Sequence, residues 1–169
     1  MQKIKQFNSA TLKDLVFSAN INTRRRKHLN LHQSYSEKCQ KVINAVDMAS
    51  YIAPHRHSLY PKTETLIALN GAFALFTFDD RGCVTEVVKL EMPRTNSKSN
   101  ACFGLDIFPD TWHTVIALVP NSILLEIKEG PFFPDSAKEI APWAPDEGSK
   151  DAFNYLMLLR GKINSSPAS

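Results

Sequence analysis

The chain has 169 residues, of which 43% are hydrophobic, so it can bury a core of its own and we expect a single domain over residues 1–169. Its 20 Lys and Arg residues and 17 Asp and Glu residues leave a net charge of +3, which is too small to indicate nucleic acid or an anionic membrane as the main partner. No apolar run approaches the roughly 18 residues of a membrane-spanning helix. These properties predict a soluble protein whose partner is a small molecule.

The N-terminus and the cysteines indicate the compartment. The first residues mix polar and apolar side chains and lack the unbroken apolar core of a signal peptide. The three cysteines are widely spaced and odd in number, which predicts reduced, mostly buried thiols rather than a disulfide framework. Both observations favour the cytoplasm.

Residues 1–47 form a predicted helical N-terminal arm. Apolar residues recur at helical spacing after Ser9 and again after Ser36, and each serine is a suitable N-cap. Between these two segments, residues 24–32 are basic and alternate only weakly, which predicts a loop or a short edge strand.

Residues 48–134 show the pattern of an all-β unit, with short apolar runs separated by turn residues. Asn70-Gly71 predicts a hairpin that joins a strand ending at Leu69 to a strand beginning at Ala72. Many short strands of this kind indicate a sandwich or a closed barrel. Residues 135–169 are rich in proline and end in a helical pattern, which predicts an extended strap over the barrel followed by a helix.

The histidines carry the clearest chemical signal, because His55, His57 and His113 all fall in or beside predicted strands. His55 and His57 are two residues apart, and side chains two apart on a strand point to the same face. Their imidazoles can therefore converge on one metal ion. His113 follows a proline turn that begins at Pro109 and leads into another strand.

Glu64 is the fourth candidate ligand. It begins the apolar run that follows His57, and it is the only carboxylate between Asp47 and Asp79. An offset of seven residues from His57 would place Glu64 on the opposite face of a regular strand, so we expect a bulge between them, for which Pro61 is suited. Glu64 is either a ligand or a hydrogen-bonding neighbour of the three histidines.

Four further residues are candidates for catalysis or substrate binding beside this centre. Lys62 and Tyr60 lie in the segment before Glu64 and are either catalytic acid–base groups or solvent-facing turn residues. Arg25 belongs to a basic run that would bind a phosphate or lie on a solvated surface. His32 either binds substrate, if the arm folds over the barrel mouth, or is a surface histidine.

These motifs resemble those of known proteins. His55-Arg56-His57 with Glu64 and Gly71 resembles the first cupin motif, and the segment from Pro109 to His113 resembles the second. Six residues separate His57 from Glu64 where cupins usually have three or four. From about residue 26 to residue 147 the chain resembles the WbuC-type cupin metalloproteins, in which this wider spacing is usual. The resemblance to that group includes Pro54-His55-Arg56-His57, Lys62-Thr63-Glu64-Thr65, Trp112-His113-Thr114 and Ala141-Pro142-Trp143-Ala144-Pro145.

The resemblance implies a mainly β fold, the cupin double-stranded β-helix or jelly-roll barrel. It implies one divalent transition metal per chain, Zn, Fe, Mn or Ni, bound by three histidines and a glutamate. WbuC-type cupins are bacterial proteins often encoded among genes for O-antigen polysaccharide synthesis. We therefore expect a metal-dependent enzyme, of an isomerase or epimerase kind, that acts on a sugar or nucleotide-sugar in cell-surface polysaccharide synthesis. The alternative is a non-catalytic ligand-binding or structural metalloprotein.

Cupins commonly pair through barrel strands, so we expect a homodimer.

Overall fold

The computed structural model describes residues 3–58, 61–92, 102–134 and 138–163. Within these residues the chain forms two helices and ten strands. In chain order they are α1 (Ser9–Ile21), β1 (Arg26–Asn30), β2 (Cys39–Val46), β3 (His55–Arg56), β4 (Glu64–Asn70), β5 (Ala72–Phe78), β6 (Val84–Glu91), β7 (Gly104–Ile107), β8 (Trp112–Ala117), β9 (Ser122–Glu129), β10 (Glu139–Ile140) and α2 (Lys150–Lys162).

The strands form two five-stranded antiparallel sheets. The first sheet has the order β1-β2-β9-β4-β7 and the second has the order β10-β3-β8-β5-β6. Strands that follow one another in sequence often lie in different sheets, so the chain crosses repeatedly between the two layers. The mainly β architecture predicted from the short apolar runs is confirmed.

Apolar side chains pack in three layers around these sheets. The inner layer takes residues from both sheets, such as Leu66 and Leu124 from the first and Leu75 from the second. Helix α1 covers the outer face of the first sheet through Leu15 and Ala19. Helix α2 and the segment before it cover the outer face of the second sheet in a cluster that includes Phe76, Phe78, Trp112, Leu156 and Leu159.

The prediction of a second helix in the N-terminal arm is wrong. Helix α1 forms, but the segment after Ser36 is strand β2, which pairs with β9 along its whole length. Both faces of β2 are covered, because Ile43 packs under α1 and Val46 packs in the inner layer. This burial hides the alternation of a strand from the sequence pattern. The sheets therefore begin at β1, an edge strand, rather than at residue 48, and end with β10 rather than at residue 134.

The hairpin predicted at Asn70-Gly71 is also wrong. Strand β4 belongs to the first sheet and β5 to the second, so the turn is a corner between sheets. Gly71 has a φ of 74°, and a Cβ atom there would lie 2.9 Å from Ser122 Cα. Only glycine meets both demands without strain. The next turn, which ends at Gly82, does close a hairpin between β5 and β6.

Two further observations concern the thiols and the helices. Cys39, Cys83 and Cys102 are free, but Cys39 and Cys83 are exposed rather than buried as predicted. Neither helix in the described part of the chain is long and apolar enough to cross a membrane.

Candidate metal centre

The four predicted ligands come together between the two sheets. His55 on β3 and His113 on β8 are register partners in the second sheet, and His57 follows β3 directly. Glu64 is the first residue of β4 in the first sheet. One suitable donor atom from each of the four residues lies within 4.8 Å of the others.

The position of Glu64 has a different cause from the one predicted. The chain does not bulge within one strand between His57 and Glu64; it crosses from the second sheet to the first, with Pro61 in the intervening turn. The two side chains therefore face each other across the barrel, and His57 Nε2 lies 2.9 Å from Glu64 Oε2. His113 Nε2 lies 3.5 Å from the same oxygen.

Backbone carbonyl groups orient two of the imidazoles. His55 Nδ1 lies 3.0 Å from the Ala53 carbonyl oxygen, and His113 Nδ1 lies 2.8 Å from the Thr111 carbonyl oxygen. A neutral imidazole that donates from Nδ1 has its Nε2 lone pair available for a metal. The rings of His55 and His113 are 4.5 Å apart between centroids, so both Nε2 atoms can reach one ion.

Three imidazole nitrogens and one carboxylate oxygen fit a divalent transition metal. Such ions form bonds of about 2.0–2.2 Å, so ligands on opposite sides of an ion are separated by about 4 Å. The 4.8 Å span of the four donor atoms is close to that separation. Imidazole and carboxylate donors suit Zn, Fe, Mn and Ni alike, so the donor set does not distinguish among these metals.

Burial sets the electrostatics of the centre. His57, Glu64 and His113 are 8%, 6% and 4% exposed. Burial, together with the nearby His113 and Lys138 side chains, holds the pKa of His55 well below its ordinary value, which favours the neutral imidazole that binds a metal. Burial alone would raise the pKa of Glu64, but hydrogen bonds with His113 and His57 hold it well below the ordinary value.

The four donors line a cavity of about 420 Å³ whose wall is strongly basic. Two of its cations are paired: Arg26 with Glu147 and Lys128 with Glu126. Three other cations line it as well, namely Arg24, Lys27 and Lys138. None of these three has a carboxylate within ion-pair distance among the residues that the structure describes.

Strand β9 contributes a polar group that the sequence reasoning missed. Glu126 and Lys128 line the cavity, and Lys128 is the register partner of Glu64. Asn44 Nδ2 donates to Glu126 Oε2 at 3.0 Å. Burial and the charge of Glu64 raise the pKa of Glu126, although Lys128 opposes the rise. A signal existed in the sequence, because Glu126 and Lys128 share the inward face of β9 with the core residue Leu124.

Three of the other four predicted site residues lie away from this cavity, and the fourth is not described. Lys62 Nζ donates to the Pro131 carbonyl oxygen at 2.6 Å. Arg25 forms a salt bridge of 3.1 Å with Asp47. His32 is buried and lines a neighbouring cavity. Tyr60 lies outside the described residues. The catalytic roles of Lys62 and Tyr60 and the substrate role of Arg25 stay predictions.

Comparison with known proteins was made at the level of family, sequence and structure. The family described as a domain of unknown function, DUF6016, matches residues 7–90, just under half of the chain. No curated protein matches the sequence.

Three solved structures illustrate the similarity. A protein with a double-stranded β-helix domain from Klebsiella pneumoniae has 12% identity and a TM-score of 0.53, covering 83% of this chain and 98% of that chain. A protein from Shewanella oneidensis has 8% identity and a TM-score of 0.52, covering 84% of this chain and 85% of that chain. A cupin 2 domain-containing protein from Halorhodospira halophila has 14% identity and a TM-score of 0.47, covering 85% and 84%.

The chain therefore has the double-stranded β-helix fold that the sequence resemblance implies. Within that fold it carries a group of three histidines and one glutamate that could bind a metal ion. These matches contain no link to the WbuC-type cupins or to O-antigen synthesis, so that finer assignment depends on the sequence resemblance.

Proposed function

We propose that this protein is a metal-dependent cupin enzyme acting on a small polar substrate, such as a sugar or nucleotide-sugar, that carries a phosphate or carboxylate group. The observation that carries the proposal is the composition of the 420 Å³ cavity. Four metal-binding donors lie together in it, and Arg24, Lys27 and Lys138 line the same cavity without carboxylate partners among the described residues. Unpaired cations near a metal centre favour an anionic ligand.

The proposed reaction is an isomerisation or epimerisation of the sugar. A bound divalent transition metal supplies a Lewis acid that polarises a carbonyl or hydroxyl group. The Ala53 and Thr111 carbonyl groups orient the rings of His55 and His113 so that their Nε2 atoms can bind this metal. Glu126 lines the same cavity, and its carboxylate can accept a proton from a substrate carbon or hydroxyl group and return it. Lys128 stabilises the carboxylate form of Glu126 through their ion pair.

Cell-surface polysaccharide synthesis, a cytoplasmic location and a homodimer belong to the same proposal. Their support is the sequence resemblance to WbuC-type cupins. One metal ion per chain is the proposed stoichiometry, since one group of suitable donors lies in the described residues.

Metal content tests the centre. Wild-type protein, His57→Ala and His113→Ala are purified and their metal per chain is measured by inductively coupled plasma mass spectrometry. We expect about one ion per chain in the wild type and less than about a tenth of that in each variant, because each loses one of four donors. His28→Ala is the matched control, since His28 lines the cavity outside the four donors and its loss should leave the metal content unchanged. Equal metal content in all four proteins would contradict the centre.

Deuterium uptake tests the reaction. Nucleotide-sugars and sugar phosphates are incubated with metal-loaded protein in D₂O, and incorporation of one deuteron at carbon is measured by mass spectrometry. Proton transfer to and from carbon predicts deuterium uptake in the wild type and its loss in Glu126→Gln.

The basic wall is tested by the KM for the substrate that takes up deuterium. Lys138→Gln should raise this KM, because it removes a cation that lines the cavity. Lys89→Gln should leave it unchanged, because Lys89 is an exposed lysine on β6 that does not line the cavity.

The alternative is a non-catalytic ligand-binding or structural metalloprotein. One observation favours it: the four donors come from both sheets, so a bound ion would hold the sheets together. Tight binding of the same substrates without deuterium uptake or any other turnover would support this alternative.

A further inference from the structure

A second cavity lies beside the metal cavity. Its volume is about 210 Å³, and five residues line both cavities: His28, Asn44, Glu126, Lys128 and Phe132. The second cavity is far larger than the roughly 30 Å³ share of one water molecule, so it can hold a small organic group. Because the two cavities share five lining residues, a ligand in the second cavity would adjoin a ligand at the metal centre.

Two buried polar atoms among the residues of the second cavity lack partners. His32 is 7% exposed and Gln40 is 1% exposed. His32 Nε2 and Gln40 Oε1 are buried and have no hydrogen-bond partner in the described part of the chain. Buried polar atoms almost always have a partner, so two unsatisfied atoms beside one cavity point to a ligand that supplies the partners.

Local contacts show which ring nitrogen of His32 is unused. His32 Nδ1 lies 3.2 Å from the Lys41 backbone nitrogen and 3.1 Å from the Lys41 carbonyl oxygen, so it accepts from the N–H group in one tautomer and donates to the carbonyl oxygen in the other. In both tautomers Nε2 is the nitrogen left for a ligand, as a donor in the first and an acceptor in the second.

Gln40 supplies the acceptor. Its Nε2 amide group lies 3.3, 3.3 and 2.7 Å from the carbonyl oxygens of Ser34, Tyr35 and Glu37, which fixes the orientation of the side chain and leaves Oε1 as the unused atom. A hydroxyl group both accepts and donates, so hydroxyl groups can pair with Gln40 Oε1 and with His32 Nε2 in either tautomer.

Aromatic rings form another part of the wall. Tyr35 and Phe132 pack edge to face with centroids 5.0 Å apart, and Tyr35 is 47% exposed. An aromatic wall beside a few placed polar groups is the usual composition of a site for a small molecule with both an apolar and a polar surface. A sugar ring has both, because its C–H groups form an apolar face and its hydroxyl groups form a polar edge.

We infer that the second cavity binds a neutral, hydroxyl-bearing sugar ring of the substrate, through His32 Nε2, Gln40 Oε1 and the rings of Tyr35 and Phe132. This inference rests on the proposed function, because it assigns the anionic part of the same substrate to the basic wall of the metal cavity. Substrate selection then depends on both cavities, with the ring recognised by hydrogen bonds and the anion by charge.

Binding of three kinds of probe separates these contributions. Dissociation constants of metal-loaded protein are measured by calorimetry for inorganic phosphate, for a panel of the 6-phosphates of glucose, galactose, mannose and fructose, and for the free sugars. We expect at least one sugar phosphate to bind about tenfold more tightly than phosphate, since two hydrogen bonds and a ring contact are added. If no member of the panel binds more tightly than phosphate, the inference is wrong. Failure of phosphate itself to bind would instead count against the proposed function.

Two variants test the assigned residues. His32→Asn retains an acceptor for the Lys41 N–H group but removes Nε2, and Tyr35→Ala removes the exposed ring. Each should reduce the tenfold advantage of the sugar phosphate to below about threefold and leave phosphate binding and metal content unchanged. Phe108→Ala is the matched control, because Phe108 is 70% exposed and lines neither cavity. An undiminished advantage in both variants would overturn the inference.

A spectroscopic measurement does not depend on affinity. In protein labelled with ¹⁵N at histidine, the Nε2 resonance of His32 should shift when the sugar phosphate is added and should not shift with phosphate alone. A resonance that is unchanged at saturating sugar phosphate would show that the ring binds elsewhere and that only water satisfies His32.

Discussion

At the scale of single residues, the two cross-strand histidines are oriented by their own strands. His55 and His113 each place Nδ1 beside a carbonyl oxygen two residues earlier in the chain, that of Ala53 and that of Thr111. The orientation of each ring is therefore determined by its own segment and does not require packing against the opposite sheet. Glu64 differs, because its carboxylate reaches the histidines only when the two sheets pack together.

The role of Glu64 leads to a prediction about metal affinity. Glu64→Gln keeps the shape of the side chain but removes the only carboxylate among the four donors. We expect the affinity for a divalent transition metal to fall at least about tenfold, as measured by competition with a chromogenic chelator. Glu126→Gln is the matched control, since it removes a carboxylate of the same cavity that is not a donor and should change the affinity much less. Equal affinities for wild type and Glu64→Gln would assign Glu64 to hydrogen bonding with His57 and His113 instead of metal binding.

At the scale of elements, the corner between β4 and β5 depends on one glycine. Gly71→Ala would place a Cβ atom against Ser122 at a positive φ, so we expect a loss of at least about 1 kcal/mol in the free energy of unfolding, measured by urea denaturation. Gly161→Ala in helix α2 is the control, because a Cβ atom there meets nothing within 4 Å and should stabilise the helix by up to about 1 kcal/mol. A stable Gly71→Ala protein would show that the corner can move away from Ser122.

The strap after β10 is attached to β1 through a partly buried ion pair. Arg26 pairs with Glu147 and also donates to the Tyr51 carbonyl oxygen at 2.8 Å, while Glu147 accepts from the Ala53 N–H group at 3.3 Å. Burial would raise the pKa of Glu147, but the hydrogen bond and charge of Arg26 hold it below the ordinary value of 4.5. The contribution of Glu147 to stability is therefore complete above pH 4.5 and is lost as the pH falls through the lowered pKa.

This ion pair predicts a pH dependence of stability. Glu147→Gln should lower the free energy of unfolding at neutral pH by about 1–3 kcal/mol, and the difference from wild type should shrink as the pH falls below 4.5. Urea denaturation at a series of pH values measures both effects. Glu86→Gln, on the exposed face of β6, should change stability by less than about 0.5 kcal/mol at any pH. A difference between Glu147→Gln and wild type that did not vary with pH would contradict the role of the carboxylate charge.

The sequence predicts the elements unevenly, for physical reasons. Strand β9 could be predicted, because its apolar residues follow directly after the Pro120-Asn121 turn. Strand β2 could not, because α1 covers part of its outer face and its apolar residues Val42, Ile43 and Val46 also fall at helical spacing. The Asn70-Gly71 signal shows where the chain turns, but not whether the next strand pairs with the last one or joins the other sheet, since that depends on packing against Ser122.

At the scale of the whole molecule, the candidate centre was predictable and its surroundings were not. The spacing of His55, His57 and His113 carries a local signal, and family resemblance adds Glu64. The basic wall has no such signal, because β1, β9 and the segment at Lys138 meet only in the folded barrel. Distant residues supply the charge that the proposed substrate requires, while the donors come from short motifs.

The two-sheet origin of the donors predicts that metal binding stabilises the packing of the sheets against each other. The second sheet supplies His55 and His113, and the first supplies Glu64, so one ion would cross-link strands that share no hydrogen bonds. A ligand that binds only the folded state raises stability by RT ln(1 + [L]/Kd), or about 2.7 kcal/mol at a hundredfold excess over Kd. Removing the metal should therefore lower the melting temperature and speed amide exchange at residues 55–57, 64–66 and 112–114, as measured by hydrogen exchange mass spectrometry.

The hairpin of β5 and β6 provides the internal reference for that experiment. Its tip at residues 79–83 lies within the second sheet alone and contains none of the four donors, so its exchange should be the same with and without metal. Uniformly faster exchange throughout the chain would mean that the ion acts only through global stability. If the centre joins the sheets, removing the metal should speed exchange only in the three donor segments. In His113→Ala, exchange in these segments should not change with metal concentration. This result does not depend on whether the protein catalyses a reaction.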